Sequence, residues 1–331
     1  MSDKRAYLEI VDRFSDSRVV LYGDLVLDRF ILGTPKRISR EAPVIILRHE
    51  GQRDVPGGGA NALANLAALG VEAVAVAAVG DDEPGAALIA ALEKRRIDTG
   101  RIVTVAGFKT PTKVRVLGGG SSSLKHQVAR YDIEDVLPEE GRWRGTIREH
   151  LTEVARAPSA VAVSDYGYGC VESGTVESLT AGQGHSPKVC LDSRYRIGAF
   201  PGVDGATPNL QELEAHCGRR LESDDAVANG AEKLRRDLSA HFVLATRGNR
   251  GMTLVEADRK PLHIPVFGTD EVADVTGAGD TVLAVLTAAF AAGAEPATAA
   301  RLANIAAGLV VMKLGTATVS ADELRAAVET L

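Results

Sequence analysis

Five short apolar runs, separated by polar or glycine-rich turns and stretches of helical period, constrain this chain more than any other feature. Residues 19–22, 71–79, 160–164, 189–192 and 242–246 are apolar at successive positions, not alternate ones, apart from Glu72 and the closing Ser164, Asp192 and Thr246. A strand with that pattern needs cover on both faces, as in a parallel sheet sandwiched by helices. Repeated strand–turn–helix units predict an α/β, doubly wound, mainly parallel sheet with ligands at the C-terminal ends of its strands. The length, 331 residues, suits one large domain of this kind. Hydrophobic residues make up 45% of the chain and aromatics only 4%. The core is therefore expected to be Ala, Val and Leu.

Two regions leave this rhythm. Residues 1–16 read as a polar helix or arm ahead of a domain spanning 17–331. Residues 26–32 and 44–48 are strand candidates joined by the charged stretch 36–41, and Gly23-Asp24 is expected to end the strand before them. Residues 102–105, 112–117 and 125–131 read as further short strands, the last two separated by Gly118-Gly119-Gly120 and three serines. No long helix fits between them. Segments of about 26–54 and 101–132 are expected to pair as a small β-sheet lid over a cleft.

The net charge is -6, with no basic tail, which argues against a nucleic-acid partner. No signal peptide or membrane span is evident, so the expectation is no membrane partner and a cytoplasmic location. Cys170, Cys190 and Cys217 are widely spaced and read as core thiols, not a disulfide framework or zinc site. The seven histidines have no metal-ligand spacing. Neither GxGxxG, GxxxxGK[ST] nor GxSxG occurs.

The sharpest local signal is Asp274-Val275-Thr276-Gly277-Ala278-Gly279-Asp280-Thr281, followed by an apolar helix. Glycines admit close backbone approach, and the helix start offers free N–H groups to an anion. Asp280 at the same place is a carboxylate able to take a proton from a substrate hydroxyl. Ordinary helix capping by Asp or Thr is the alternative.

This segment resembles the C-terminal signature of the ribokinase-like (PfkB) carbohydrate kinases, and Gly57-Gly58-Gly59 with Asn61 resembles their other signature. Further strings make the chain similar to the heptose-7-phosphate kinase branch. Among them are Leu27-Asp28-Arg29, Arg37-Ile38-Ser39-Arg40, Thr112-Lys113-Val114-Arg115, Ser164-Asp165-Tyr166-Gly167 and Thr207-Pro208-Asn209. The resemblance runs from about residue 19 to 319. It implies a ribokinase-like fold and an ATP-dependent kinase that phosphorylates D-glycero-β-D-manno-heptose 7-phosphate at O1. The alternatives are a kinase for another sugar or sugar phosphate, and a non-catalytic sugar- or nucleotide-binding protein.

By that resemblance Asp280 is the catalytic base, and Gly277, Ala278 and Gly279 form an anion hole. Asp28 and Asn61 bind sugar hydroxyls, with Gly57 and Gly58 bringing backbone close; a lid turn for Asp28 and a helix cap for Asn61 are the competing readings. Asn209 and Glu212 match an NxxE element for Mg2+ and phosphate, or are simply an N-cap and a first-turn acid. Arg247, Gly248 and Gly251 match the ATP-side loop, with an exposed hairpin charge as the other reading of Arg247.

Lys113, Arg115 and Arg130, with Arg40, are candidates for a substrate phosphate, or are solvated sheet charges. Asp165 and Asp192 end strands facing the cleft; Asp165 is a candidate for sugar or metal-water binding, or simply a strand-end turn acid. The resemblance also implies a monovalent cation, K+, near 274–276 and Gly315. A homodimer through the lid sheets and a monomer with a flap are both compatible with the exposed edges. Three strings depart from the heptose-kinase pattern: Tyr168 stands where Lys is usual, Ser193-Arg194 where Pro-Lys is usual, and Asp204-Gly205-Ala206 alters the approach to Thr207-Pro208-Asn209.

Overall fold

The computed structural model describes residues 2–119, 125–154, 160–181, 186–268, 274–313 and 315–331. Gly120 and the serines after it, Ala155 and Leu314 lie outside the described residues. Among those described, the strands are β1 (Arg18–Ile38), β2 (Ile45–Gly58), β3 (Glu72–Gly80), β4 (Asp98–Val105), β5 (Thr112–Gly118), β6 (His126–Ile133), β7 (Ala160–Asp165), β8 (Lys188–Ser193), β9 (Gly205–Ala206), β10 (Phe242–Thr246), β11 (Met252–Glu256) and β12 (Leu262–Ile264). The main sheet has the order β12-β11-β10-β9-β8-β7-β1-β3-β4. It is parallel from β4 to β10, and β11 and β12 extend it antiparallel.

Successive apolar residues face opposite layers, as a two-sided sheet requires. Val19 and Leu21 pack toward helices Gly59–Ala68, Ala278–Ala291 and Pro296–Val311. Val20 and Tyr22 pack toward helices Arg142–Val154 and Asp224–Asp237. All four are fully buried. The N-terminal helix, Ser2–Asp12, joins the first layer through Ile10 and Val11.

The small sheet grows out of β1. Past Asp24 this strand leaves the main sheet, pairs antiparallel with β2 and parallel with β5, and β5 pairs antiparallel with β6. Two expectations are corrected here. Gly23-Asp24 does not end the strand; β1 runs unbroken for 21 residues. Gly23 is needed for closeness instead of turning, since a Cβ there would lie 2.4 Å from the Ser164 carbonyl oxygen on β7. Asp24 is buried, its carboxylate accepting the amides of Tyr166, Tyr168 and Cys170.

Residues 101–105, expected in the lid, belong to β4 and pair with β3 in the main sheet. The reason is again two-sided cover: Ile102 packs against one core layer, Val103 and Val105 against the other. Lid pairing after β2 starts at Thr112.

Gly23→Ala should destabilise the chain by about 1–3 kcal/mol through the forced β1–β7 separation. Denaturant unfolding checks this; an unchanged midpoint would mean that the two strands part freely.

Candidate active site

The helix Ala278–Ala291 starts at Gly277, whose φ of +81° is the left-handed conformation that glycine tolerates. Space demands glycine there as well, because a Cβ would lie 2.4 Å from Asn61 Nδ2. Asp280 sits in the first turn and is 4% exposed. Its two oxygens are held from two other elements. Asn61 Nδ2 donates to Oδ2 at 3.0 Å, and the Tyr166 hydroxyl donates to Oδ1 at 2.7 Å. Burial pushes the Asp280 carboxyl up to about 6, against those two hydrogen bonds; Asp28 adds to the rise and Lys113 opposes it.

Asn61 is not a cap. Gly58 occupies the N-cap of helix Gly59–Ala68, and the Asn61 amide reaches across to Asp280 and the Gly277 carbonyl. Asn65, one turn on and fully buried, donates to the Asn61 carbonyl and side-chain oxygens. That contact orients the Asn61 amide with its nitrogen toward Asp280.

Above this carboxylate lies one face of the small sheet. Asp28, 3% exposed, accepts from Arg115 at 2.5 Å. Gly57 is glycine because a Cβ would stand 2.6 Å from Asp28 Oδ2. Asp28 pairs in register with Lys113, Phe30 with Arg115, Lys113 with Asp132 and Arg115 with Arg130. Register partners share a face, so these charges gather on one surface. Arg115 and Arg53 flank the Phe30 ring at 5.4 and 5.1 Å from its centroid. Desolvation lowers the Lys113 ammonium, which lies 5.2 Å from the centre of the Tyr166 ring. Arg130 is bound to Asp132 by both sides of its guanidinium, and Arg40 lies exposed beyond the end of β1.

On the other side of the Gly277–Gly279 turn is a cavity of about 480 Å³. Gly248 and Gly251 line it, with Met252, Val282, Asn304 and Gly308. Gly251 has φ +73°, and a Cβ would lie 2.0 Å from the Ile264 carbonyl oxygen. A largely apolar cleft with a few polar groups suits a planar heterocycle.

Two expected site residues are turned elsewhere. Asp165 is spent inside the protein: Ser193 donates to it at 2.6 Å, and Arg196 at 3.1 and 2.8 Å. A strand-end acid this deep needs a counter-charge, and Arg196 supplies it. Arg247 is buried and does not line the cavity. Its guanidinium donates to Thr253 at 3.0 Å and to Asp224, tying the loop after β10 to the start of helix Asp224–Asp237.

Asn209 and Glu212 form a complete capping box. Burial also raises the Glu212 carboxyl and, further, that of Asp192, where Glu212 and Asp280 add repulsion. Among the described residues, no three His, Cys, Asp or Glu side chains are grouped to hold a metal. Tyr166 and Asp24 belong to the site without any motif of their own to mark them, although Tyr166 lies within Ser164-Asp165-Tyr166-Gly167. Its signal in sequence is only its place directly after a strand end.

Arg247→Lys should cost about 1–2 kcal/mol of stability by loosening the pairing with Thr253 and Asp224. Nucleotide affinity should stay within about twofold, since the side chain points away from the cavity. Thermal unfolding and calorimetric titration with ATP separate the two effects; a large loss of affinity with unchanged stability would reverse the assignment.

Comparison with known proteins matches this geometry. The family model described as "pfkB family carbohydrate kinase" matches residues 16–134 and 192–323. The chain is 40% identical over 318 residues to the bifunctional protein HldE of Azotobacter vinelandii, covering 96% of this chain and 65% of that protein. It is 43% identical over 320 residues to the HldE protein of Halorhodospira halophila, covering 95% of this chain and 64% of that one. It thus spans about two thirds of the length of these relatives. Among solved structures, phosphofructokinase-2 from Escherichia coli in complex with potassium superposes with a TM-score of 0.76 at 20% identity, over 95% of this chain and 98% of that one. Arabidopsis thaliana ribokinase complexed with ribose and ATP gives 0.72 at 18%, over 95% and 99%. The fold is therefore ribokinase-like, and the chain belongs to the pfkB family of carbohydrate kinases.

Proposed function

We propose that this kinase transfers a phosphoryl group from ATP to O1 of D-glycero-β-D-manno-heptose 7-phosphate. The observation that carries the reaction is the buried Asp280 carboxylate at a helix N-terminus, between a nucleotide-sized cavity and the charged face of the small sheet. Asp280 takes the proton from the acceptor hydroxyl. The Gly277, Ala278 and Gly279 backbone stabilises charge on the transferring group, as the partial positive end of a helix does. Closure of the small sheet excludes water from the transfer.

The heptose phosphate assignment rests on the strings that resemble heptose-7-phosphate kinases and on the identity with HldE proteins. Asn61 and Asp28 are assigned to the sugar hydroxyls, with Gly57 and Gly58 at its edge. Lys113 and Arg115 are assigned to its phosphate, with Arg130 at the rim. A second reading, another sugar or sugar phosphate as acceptor, is favoured by Tyr168 and Ser193-Arg194. It is favoured also by the pairing of Arg115 with Asp28 and of Arg130 with Asp132.

The donor set fits magnesium: the carboxyls of Asp192 and Glu212 are both held up by burial, and a cation beside them would relieve it. Glu212 and Asn209 would hold the ion with waters and phosphate oxygens, and it would neutralise phosphate charge. K+ is assigned beside the anion-hole loop, where Asp274 accepts the amides of Thr276 and Gly315. A homodimer through the small sheets would cover Ile38, Val44, Ile45 and Tyr131, all exposed. No helix among the described residues is long and apolar enough to cross a membrane; the cytoplasm is proposed as the compartment because ATP is supplied there.

An acceptor screen tests the reading, with ATP consumption and product position measured for heptose 7-phosphate, its dephosphorylated form, fructose phosphates and ribose. The heptose phosphate should give the highest kcat/KM; a preference for unphosphorylated sugars would overturn the substrate assignment. Asp280→Asn should lower kcat by about 10²–10⁴-fold with the fold intact. Because the base works as a carboxylate, wild-type kcat/KM should be full above about pH 6 and fall as pH drops through it. A flat profile down to pH 5 would remove Asp280 as the base.

A further inference from the structure

Tyr166 stands at the centre of contacts that the transfer reaction as described does not use. Its hydroxyl lies on Asp280 Oδ1, the oxygen that Asn61 leaves open. The segment that carries it is anchored below. Asp24 accepts the amides of Tyr166, Tyr168 and Cys170 at 2.8, 3.0 and 3.0 Å. Gly167 and Gly169 take φ of +82° and +95°, which lets alternate amides turn inward to a single carboxylate. The Tyr168 carbonyl accepts from Leu137 at 2.9 Å. The ring is held above as well. A Cβ on Gly58 would stand 3.3 Å from it, and the Lys113 ammonium lies over its face.

We propose that Tyr166 is a positioning residue for the catalytic base. Its hydroxyl, delivered by the Asp24-anchored loop, locks the Asp280 carboxylate in one rotamer and marks the oxygen at which the acceptor hydroxyl arrives. The phenol donates and keeps its proton throughout; the acceptor's proton goes to Asp280. The catalytic consequence rests on the kinase reading, whereas the effect on the carboxylate does not.

The physical signature follows from the direction of the hydrogen bond. A donor to a carboxylate favours its charged form, while burial favours the neutral one. The other groups facing Asp280 are Asn61 from helix Gly59–Ala68, Lys113 and Asp28 from the small sheet, and Asp192 at the end of β8. Asn61 and Lys113 also favour the charged form; Asp28 opposes it. Removing the phenol oxygen leaves that balance tilted toward the neutral acid.

Carboxyl 13C NMR of protein labelled at aspartate reads the effect directly, with Asp280 assigned by the signal lost in Asp280→Asn. In Tyr166→Phe the Asp280 titration midpoint should rise by about one pH unit. The acidic limb of kcat/KM should move up with it, kcat should fall about tenfold and KM for ATP should stay within about twofold. Asp24→Asn is the second variant: it weakens the anchor and should raise the midpoint in the same direction, with thermal unfolding checking that both variants fold. An unchanged Asp280 midpoint in the two variants overturns the proposal, whatever happens to kcat. If the wild type phosphorylates no sugar, the kinase reading fails, yet the midpoint still decides the role of Tyr166.

Discussion

A carboxylate buried at the start of a helix cannot orient itself; it must be held from other parts of the chain. Asp280 is held by Asn61, from the helix after β2, and by Tyr166, from the loop after β7. Each holder is itself held: Asn61 by Asn65, and the Tyr166 loop by Asp24. Three distant segments therefore have to assemble before the carboxylate exists in usable form. The energetic tension is local and legible. Burial pushes Asp280 toward the neutral acid, and the two donors oppose it, leaving the carboxyl at about 6 and ionised near neutral pH.

That assembly depends on how β1 is used. One continuous strand belongs to the main sheet in its first part and to the small sheet in its second. Side chains on its outer part, Asp28 and Phe30, and their partners on β5 are thereby fixed over the helix end that bears Asp280. A flexible joint at residue 23 would have left that geometry open. The structure instead places a glycine against β7 and a buried carboxylate immediately after it. The lid is thus an extension of the core, not an appendage tethered to it.

The layered fold was legible because burial on both faces writes itself into sequence as uninterrupted apolar runs. The Asp280 turn was legible because two glycines and an acid stand together at the start of an apolar helix, within a longer string that resembles a family signature. Elsewhere one residue type serves two purposes. Gly23 and Asp24 are the residues of a turn, but also those of close packing and of a buried amide acceptor. Residues 101–105 sit beside true lid strands in sequence, and only their cover on both faces assigns them to the main sheet. Asp165 ends β7 and Arg247 follows β10, both next to the site, yet chain position does not say which way a side chain turns; contacts with Arg196, Thr253 and Asp224 decide that. Tyr166 was hidden for another reason. Its partner lies 114 residues away, beyond any local pattern.

The central claim is that Asp280 receives the proton of the hydroxyl that is phosphorylated. A crystal structure with heptose 7-phosphate and a non-hydrolysable ATP analogue tests it most directly. The account predicts O1 of the sugar within about 3 Å of an Asp280 oxygen, with the terminal phosphoryl group of the analogue over the Gly277–Gly279 turn. An acceptor hydroxyl placed away from Asp280, with the terminal phosphoryl group off that turn, would contradict it.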